Sequence, residues 1–265
     1  MADAAADQTP SEDARLQTGD EASERRHIFI ILLLAAVLLP VALGTSTVIF
    51  NDGDVSWHIA TGRWIIEHGR IPAGAPLSFT AARQPWVPVE WLAELVLAIS
   101  YDLAGYGGLS ALVMLALVLL NLVVFVHGAR FLRPVAIVAI IGAMDVILKP
   151  MMFARPHLLA WPLLALWTML MLHARDRERA PPLAAALLML VWVNFHGSFV
   201  MGLAIAGAFG LEALIQSSDR SRVARQWGLF GLACLAAALL NPNGLEGLIH
   251  PFFIANLELL PLIDE

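Results

Sequence analysis

Glu90-Trp91-Leu92-Ala93-Glu94-Leu95-Val96-Leu97-Ala98-Ile99-Ser100-Tyr101-Asp102-Leu103 is the stretch on which the layout of this chain turns. Trp91, Leu95 and Ile99 form an apolar stripe at helical spacing, while Glu90 and Glu94 fall one turn apart on another face. A helix of about 14 residues is ~21 Å long, short of the ~30 Å hydrocarbon core of a bilayer. If this segment crosses a membrane, every later loop changes side. If it lies on the surface, three arginine-bearing loops share one side: Arg130 and Arg133; Arg175, Arg177 and Arg179; Arg220, Arg222 and Arg225. Positive charge favours the cytoplasmic side. The segment therefore reads as a helix that does not cross, ended by Gly105 to Gly108 and packed beneath its neighbour.

Working outward, the chain has 265 residues, of which 59% are hydrophobic and 14% charged, and its mean hydropathy is +0.74. A soluble domain cannot carry that much apolar surface, so the expected class is an all-α integral membrane protein. Spans are expected at 27–50, 108–128, 134–149, 157–174, 182–195, 198–216 and 227–241, about seven in all. One or two interfacial helices are expected in a first external loop, 51–107. Arg25-Arg26 before the first span places the N-terminus in the cytoplasm. Residues 1–26 are acidic, lack aromatic residues and read as a disordered cytoplasmic tail ahead of a membrane domain, 27–265. The expected location is a membrane, crossed several times by the chain. The single Cys234 excludes an internal disulfide and a cysteine-based metal cluster. No basic stripe suggests nucleic acid as a partner, and no Gly-rich phosphate loop suggests a bound nucleotide.

The first loop opens with Asn51-Asp52-Gly53-Asp54-Val55-Ser56-Trp57-His58. Asp54 to His68 reads as an interfacial helix with Val55, Ile59, Gly62 and Ile66 on one side and Asp54, His58 and Thr61 on another. Two readings of Asp52 and Asp54 stand side by side. Either carboxylate caps the helix through a free backbone N–H. Alternatively, one acts as a general base on an acceptor hydroxyl while the other orients that acceptor or holds a divalent metal. His58 either bonds to Asp54 one turn back or meets substrate. Glu90 caps a helix or faces the same site. Arg155-Pro156-His157 sits at a boundary, where the guanidinium suits lipid headgroups or the phosphate of a lipid-linked donor. Asn194 and His196 flank the turn at Gly197. On the arginine topology these residues share the non-cytoplasmic side, together with Lys149, Asn241, Asn243 and His250.

The run from Asp52 to Ile65, then Pro85-Trp86-Val87, Glu90-Trp91-Leu92, Arg155-Pro156-His157, Trp192-Val193-Asn194-x-His196-Gly197 and Asn241-Pro242-x-Gly244, resembles a group of bacterial multi-pass membrane proteins. These are similar to the glycosyltransferase-C superfamily, which includes dolichyl-phosphate-mannose protein mannosyltransferases and oligosaccharyltransferases. The resemblance implies inverting transfer of a sugar from a polyprenyl-phosphate donor on the non-cytoplasmic face. It further implies an acidic catalytic group at Asp52 or Asp54 and donor-phosphate contact at Arg155. His58, Glu90, His157, Asn194 and His196 are then candidate substrate-binding residues. Val89 departs from the histidine such proteins carry before Glu90-Trp91, and the length implies an N-terminal portion of such a protein. The rival expectations are a transporter or flippase, and a catalytically silent membrane subunit handling a lipid-linked saccharide.

Overall fold

The structure is a computed structural model that describes residues 26–36, 47–80 and 84–256. The acidic tail therefore lies outside the described residues almost entirely, as do the middle of the first expected span and the last residues of the chain. The described residues form nine α-helices and no strand: α1 (Arg26–Ala36), α2 (Gly53–His68), α3 (Trp91–Gly128), α4 (Pro134–Leu148), α5 (Pro156–Asp176), α6 (Ala186–Phe195), α7 (Phe199–Gln216), α8 (Arg220–Leu239) and α9 (Gly244–Ala255).

Local chemistry sets many of the boundaries. Asp52 caps α2 by accepting a hydrogen bond from the Asp54 N–H at 2.8 Å, and Gly69 ends it in a left-handed conformation (φ 61°) that glycine adopts without steric cost. Prolines stand in the first turn of α4 and α5, where the missing N–H is not needed. Asp219 caps α8 through the Arg222 N–H.

α3 is two arms rather than one rod. Its backbone breaks at Ala104 and Gly105, where Gly105 has φ 58°. Residues 100 and 108 of an unbroken helix would stand about 12 Å apart. Instead, a Cβ placed on Gly108 would lie 1.9 Å from the Ser100 carbonyl oxygen, so the chain doubles back. The 91–103 arm thus ends as the sequence suggests, but the break falls at Ala104-Gly105 and the second arm starts with no loop between. That second arm is uncharged from Leu109 to Val126.

Four helices are long and apolar enough to cross a membrane: Trp91–Gly128, Pro134–Met151, Pro156–Asp176 and Phe199–Gln216. A fifth results if α8 and α9, bent by 92° at their junction, count as one span. The helices Arg26–Ala36 and Leu183–Phe195 are apolar but shorter. Of the seven expected spans, 108–128, 134–149, 157–174 and 198–216 fall in these four helices, 227–241 falls in the bent pair, and 182–195 falls in one of the shorter helices.

Packing divides into three clusters. Trp167, Trp192, Phe199 and Phe230 fill the space between α5, α6, α7 and α8. Val55, Leu97, Val113 and Leu158 join α2, α3 and α5. Ala36, Phe125 and Ile141 join α1, α3 and α4. Small residues allow the close approaches, as expected where lipid supplies no hydrophobic drive between helices. A Cβ on Gly62 would meet the Glu94 carbonyl at 2.1 Å, and one on Gly202 would meet the Trp192 ring at 2.6 Å. Large apolar side chains such as Leu115, Val146, Ile215 and Leu232 are exposed along the helices, which is the surface a bilayer covers.

The face of α2 differs from the expected one. Ile66 is 48% exposed, while His58 and Thr61 are buried beside Val55 and Ile59. The buried side of α2 is partly polar because α3 presents Glu94 to it. Two further polar residues sit inside the apolar arms, outside the set that the sequence singles out. Asn121 of α3 donates to Asp145 of α4 at 3.0 Å and to the Ala36 carbonyl at 3.1 Å, with both side chains fully buried.

Candidate functional site

Five helix ends meet at the N-terminal end of α5. The start of α2 brings Asp52, Asp54 and His58; the start of α3 brings Glu90, Trp91 and Glu94; α5 brings Arg155 and His157. The α6–α7 turn brings Asn194 and His196, and α9 brings His250. Residues separated by more than 100 positions in the chain are thereby in contact.

Arg155 holds the two aspartates together. One guanidinium nitrogen lies 3.0 Å from Asp52 Oδ2, and the other lies 2.8 Å from Asp54 Oδ2. Asp52 uses its second oxygen on the α2 cap, so the capping reading holds for Asp52 and coexists with the ion pair. Asp54 is the more accessible of the two, its side chain 53% exposed against 16% for Asp52.

Beside this pair lies a carboxylate–imidazole network. His58 Nδ1 is 3.3 Å from Glu94 Oε1, and its Nε2 is 3.9 Å from Glu90 Oε2. The i,i+4 bond from His58 to Asp54 is thus replaced by contacts across helices. On the other side of Glu90, Oε1 lies 3.3 Å from His196 Nε2. The His196 tautomer follows from its neighbours. The Ser198 N–H donates to His196 Nδ1 at 3.1 Å, so Nδ1 is an acceptor and Nε2 carries the proton toward Glu90. Ser198 Oγ accepts from the Trp192 indole at 3.0 Å and donates to the same Nδ1 at 2.8 Å.

Electrostatics push the pair at the centre toward neutrality. Burial raises the Glu90 carboxyl to about 7, with Glu94 and Asp54 adding to the rise and His58 and Arg155 opposing it. Burial, followed by the charges of His157, His58 and Arg155, lowers His196 to about 4. A carboxyl titrating near neutral pH beside a neutral imidazole can take or give a proton without a large free-energy gap.

The remaining candidates differ in placement. His157 donates from Nε2 to the Met151 carbonyl at 2.8 Å, and its ring centroid is 6.4 Å from that of His196. Asn194 is buried and structural. It accepts from the Trp91 indole at 2.7 Å and donates to the carbonyls of Leu190 at 2.8 Å and Leu240 at 3.3 Å, pinning α3, α6 and the end of α8 together.

Glu90, Glu94, His58 and His196 line a cleft of about 370 Å³. Trp57 and Trp86, in edge-to-face contact at 6.0 Å, form one wall, and His250 and Pro251 of α9 form the opposite side. Asn241 fixes the elbow before α9, donating to the carbonyls of Ala238 and Gly244 and accepting from the Asn243 N–H. The possible metal pair, Asp52 and Asp54, is engaged by Arg155. Among the described residues no group of three or more His, Cys, Asp or Glu side chains is placed to hold a metal ion, so the donor set does not fit one.

The described residues thus define an all-helical architecture, with helices apolar enough for a membrane, that closes an acid–imidazole cleft near an arginine–aspartate cluster. No family model matches the chain, and no curated protein or solved structure matches it.

Proposed function

We propose that the chain is a glycosyltransferase that moves a sugar from a polyprenyl-phosphate donor to an acceptor hydroxyl, with inversion. The observation that carries this reading is Arg155, held between two carboxylates beside a histidine- and glutamate-lined cleft. Guanidinium pairs with phosphate in a bidentate manner, and a carboxylate within reach of that phosphate can serve as base. Asp54 is the better base of the two aspartates, because Asp52 spends its oxygens on the cap and on Arg155. In the step, the acceptor oxygen bonds to the anomeric carbon and the bond from that carbon to the phosphate oxygen breaks. The acceptor proton passes to Asp54, and the polyprenyl phosphate leaves with its charge opposite Arg155.

In this reading the chain lies in a bacterial inner membrane with its N-terminus in the cytoplasm and about seven spans. α2 and the 91–103 arm lie in the outer interface and wall the route of a lipid-linked donor. Two features support the arrangement. α5 has 21 residues and is roughly 31 Å long, matching the hydrocarbon core. The site gathers at the N-terminal end of that helix, whereas Arg175, Arg177 and Arg179 gather at its other end.

A second reading, a flippase for a lipid-linked saccharide, draws on the broken α8–α9 pair, since interrupted helices at a polar cavity serve transport. The deciding experiment supplies polyprenyl-phosphate sugars to the purified full chain and measures release of polyprenyl phosphate. Asp54→Asn should lower the rate ~10²–10⁴-fold. Movement of the donor between leaflets of a vesicle without release favours the flippase. Neither release nor movement, with an unchanged glycolipid profile when the gene is deleted, rejects both and leaves a silent subunit.

A further inference from the structure

We propose that a second cleft, at the opposite end of α5 from the site above, binds the headgroup of an anionic phospholipid. It lies between the C-terminal ends of α5 and α7 and the start of α8, and has a volume of about 480 Å³. Arg175, Arg177, Arg179 and Arg222 line it, with Trp227 and Phe209 as apolar walls.

The charge arithmetic favours an anion. Glu212 is met by Arg175 at 3.3 Å and by the Gln216 amide at 3.2 Å. Asp219 is engaged by the Arg222 N–H and the Ser221 hydroxyl as the cap of α8. The lining carries four arginines against three carboxylates, Glu178, Glu212 and Asp219, and so keeps one positive charge in excess. Arg177 and Arg179 are exposed and form no ion pair with the described residues. They are carried on a turn whose middle residue, Glu178, sits at φ 51°, a conformation disfavoured for a side chain of that kind. The turn is closed by the Glu178 N–H to the Arg175 carbonyl at 2.9 Å and the Arg179 N–H to the Ala174 carbonyl at 3.0 Å.

The position of the cleft selects a lipid over a free anion. It opens at the end of helices whose neighbouring faces expose Leu211, Ile215, Leu229 and Leu232, at 58%, 65%, 55% and 66%. A phosphodiester held by the arginines would have its acyl chains laid along these residues. Basic pockets between helices at a membrane surface suit such headgroups, and their arginines make bidentate contacts with phosphate.

The test uses the delipidated full chain in neutral detergent, with lipid binding counted by native mass spectrometry and stability followed by thermal unfolding. Cardiolipin and phosphatidylglycerol should bind and raise the unfolding temperature, whereas phosphatidylcholine should not. The triple variant Arg177→Gln, Arg179→Gln, Arg222→Gln should bind anionic lipid roughly 100-fold more weakly. The control Arg133→Gln, an arginine outside the lining of the cleft, should bind as wild type. Equal loss in the control would show diffuse attraction and overturn the site. Equal protection by inorganic phosphate would make it a free-anion site, and equal binding of phosphatidylcholine would make it ordinary lipid contact; either overturns the proposal. If the triple variant does not fold, the single Arg179→Glu, on an exposed turn, should weaken anionic lipid binding alone, and unchanged binding there rejects the proposal.

Discussion

Replacing Gly62 with alanine adds one methyl group where α2 crosses α3, and the structure sets its effect. The new Cβ would lie 2.1 Å from the Glu94 carbonyl oxygen and 2.7 Å from the Ala98 Cβ. The nearest obstacle is backbone inside a helix, so no side chain can swing away. Reaching the 3.4 Å of ordinary contact requires the two helices to part by about 1.3 Å at this point. Overpacking of this kind costs ~1–3 kcal/mol. The damage extends to the site, because His58 lies one turn before Gly62 and its 3.3 Å contact with Glu94 depends on the same approach. Gly62→Ala should therefore lower the midpoint of denaturant unfolding in detergent. It should also abolish the shielding of a His58 imidazole resonance from solvent exchange, read by NMR on selectively labelled protein. Gly62→Ser should do the same. A Gly62→Ala protein with wild-type stability and unchanged His58 exchange would refute the close crossing and, with it, the placement of His58 against Glu94.

Because the Glu90 value in the fold, about 7, lies above its usual 4.5, stability should fall as pH rises from about 4.5 through 7, and Glu90→Gln should flatten that limb in a series of thermal unfolding curves. His196 has the opposite sign: lowered to about 4, it should cost stability as pH falls below its usual 6.5, and His196→Gln should remove that loss; parallel curves for wild type and variants would contradict both. Asn121→Ala should destabilise by ~1–3 kcal/mol, since it leaves the buried Asp145 carboxyl without its amide donor; equal unfolding midpoints would show that the pair carries no weight. In a Cys234→Ala background, Glu67→Cys should react with an impermeant maleimide added outside intact cells, whereas Arg177→Cys and Arg222→Cys should react only after the membrane is opened; the reverse pattern inverts the topology.

The helices are legible in the sequence because their ends are marked locally. Asp52, Gly69, Pro134, Pro156 and Asp219 each act on backbone groups within a turn of themselves. The partners of the site residues are not legible in the same way. Periodicity reports which side of a helix is apolar and says nothing of what faces it, so the 36-residue step from His58 to Glu94 leaves no trace in spacing. It also fails for α2, where Thr61 and His58 are buried and Ile66 is not. The sequence leaves Asp52 open between cap and ion pair for a physical reason, since the residue has two oxygens and uses them differently. Asn194 lies at the site, as its neighbours in sequence suggest, but its role is structural, with its bonds going to Trp91 and two carbonyls. Asn121 and Asp145 left the plainest missed signal, an amide and an acid inside otherwise apolar runs.

The long reach of the Asp52–Arg155 and Trp91–Asn194 contacts, 103 residues each, has a consequence for synthesis. At ~5–20 residues per second, roughly 5–20 s separate the emergence of one partner from that of the other. For the second half of the first interval, from residue 103 to residue 155, α2 and the 91–103 arm exist together without α5 or α6. The bonds available to them are those they make alone: the Asp52 cap, the ion pair of Arg63 with Asp102, and the contact of His58 with Glu94. Asp52 and Glu94 thus have partners from the first, whereas Asp54 meets its own only when Arg155 arrives.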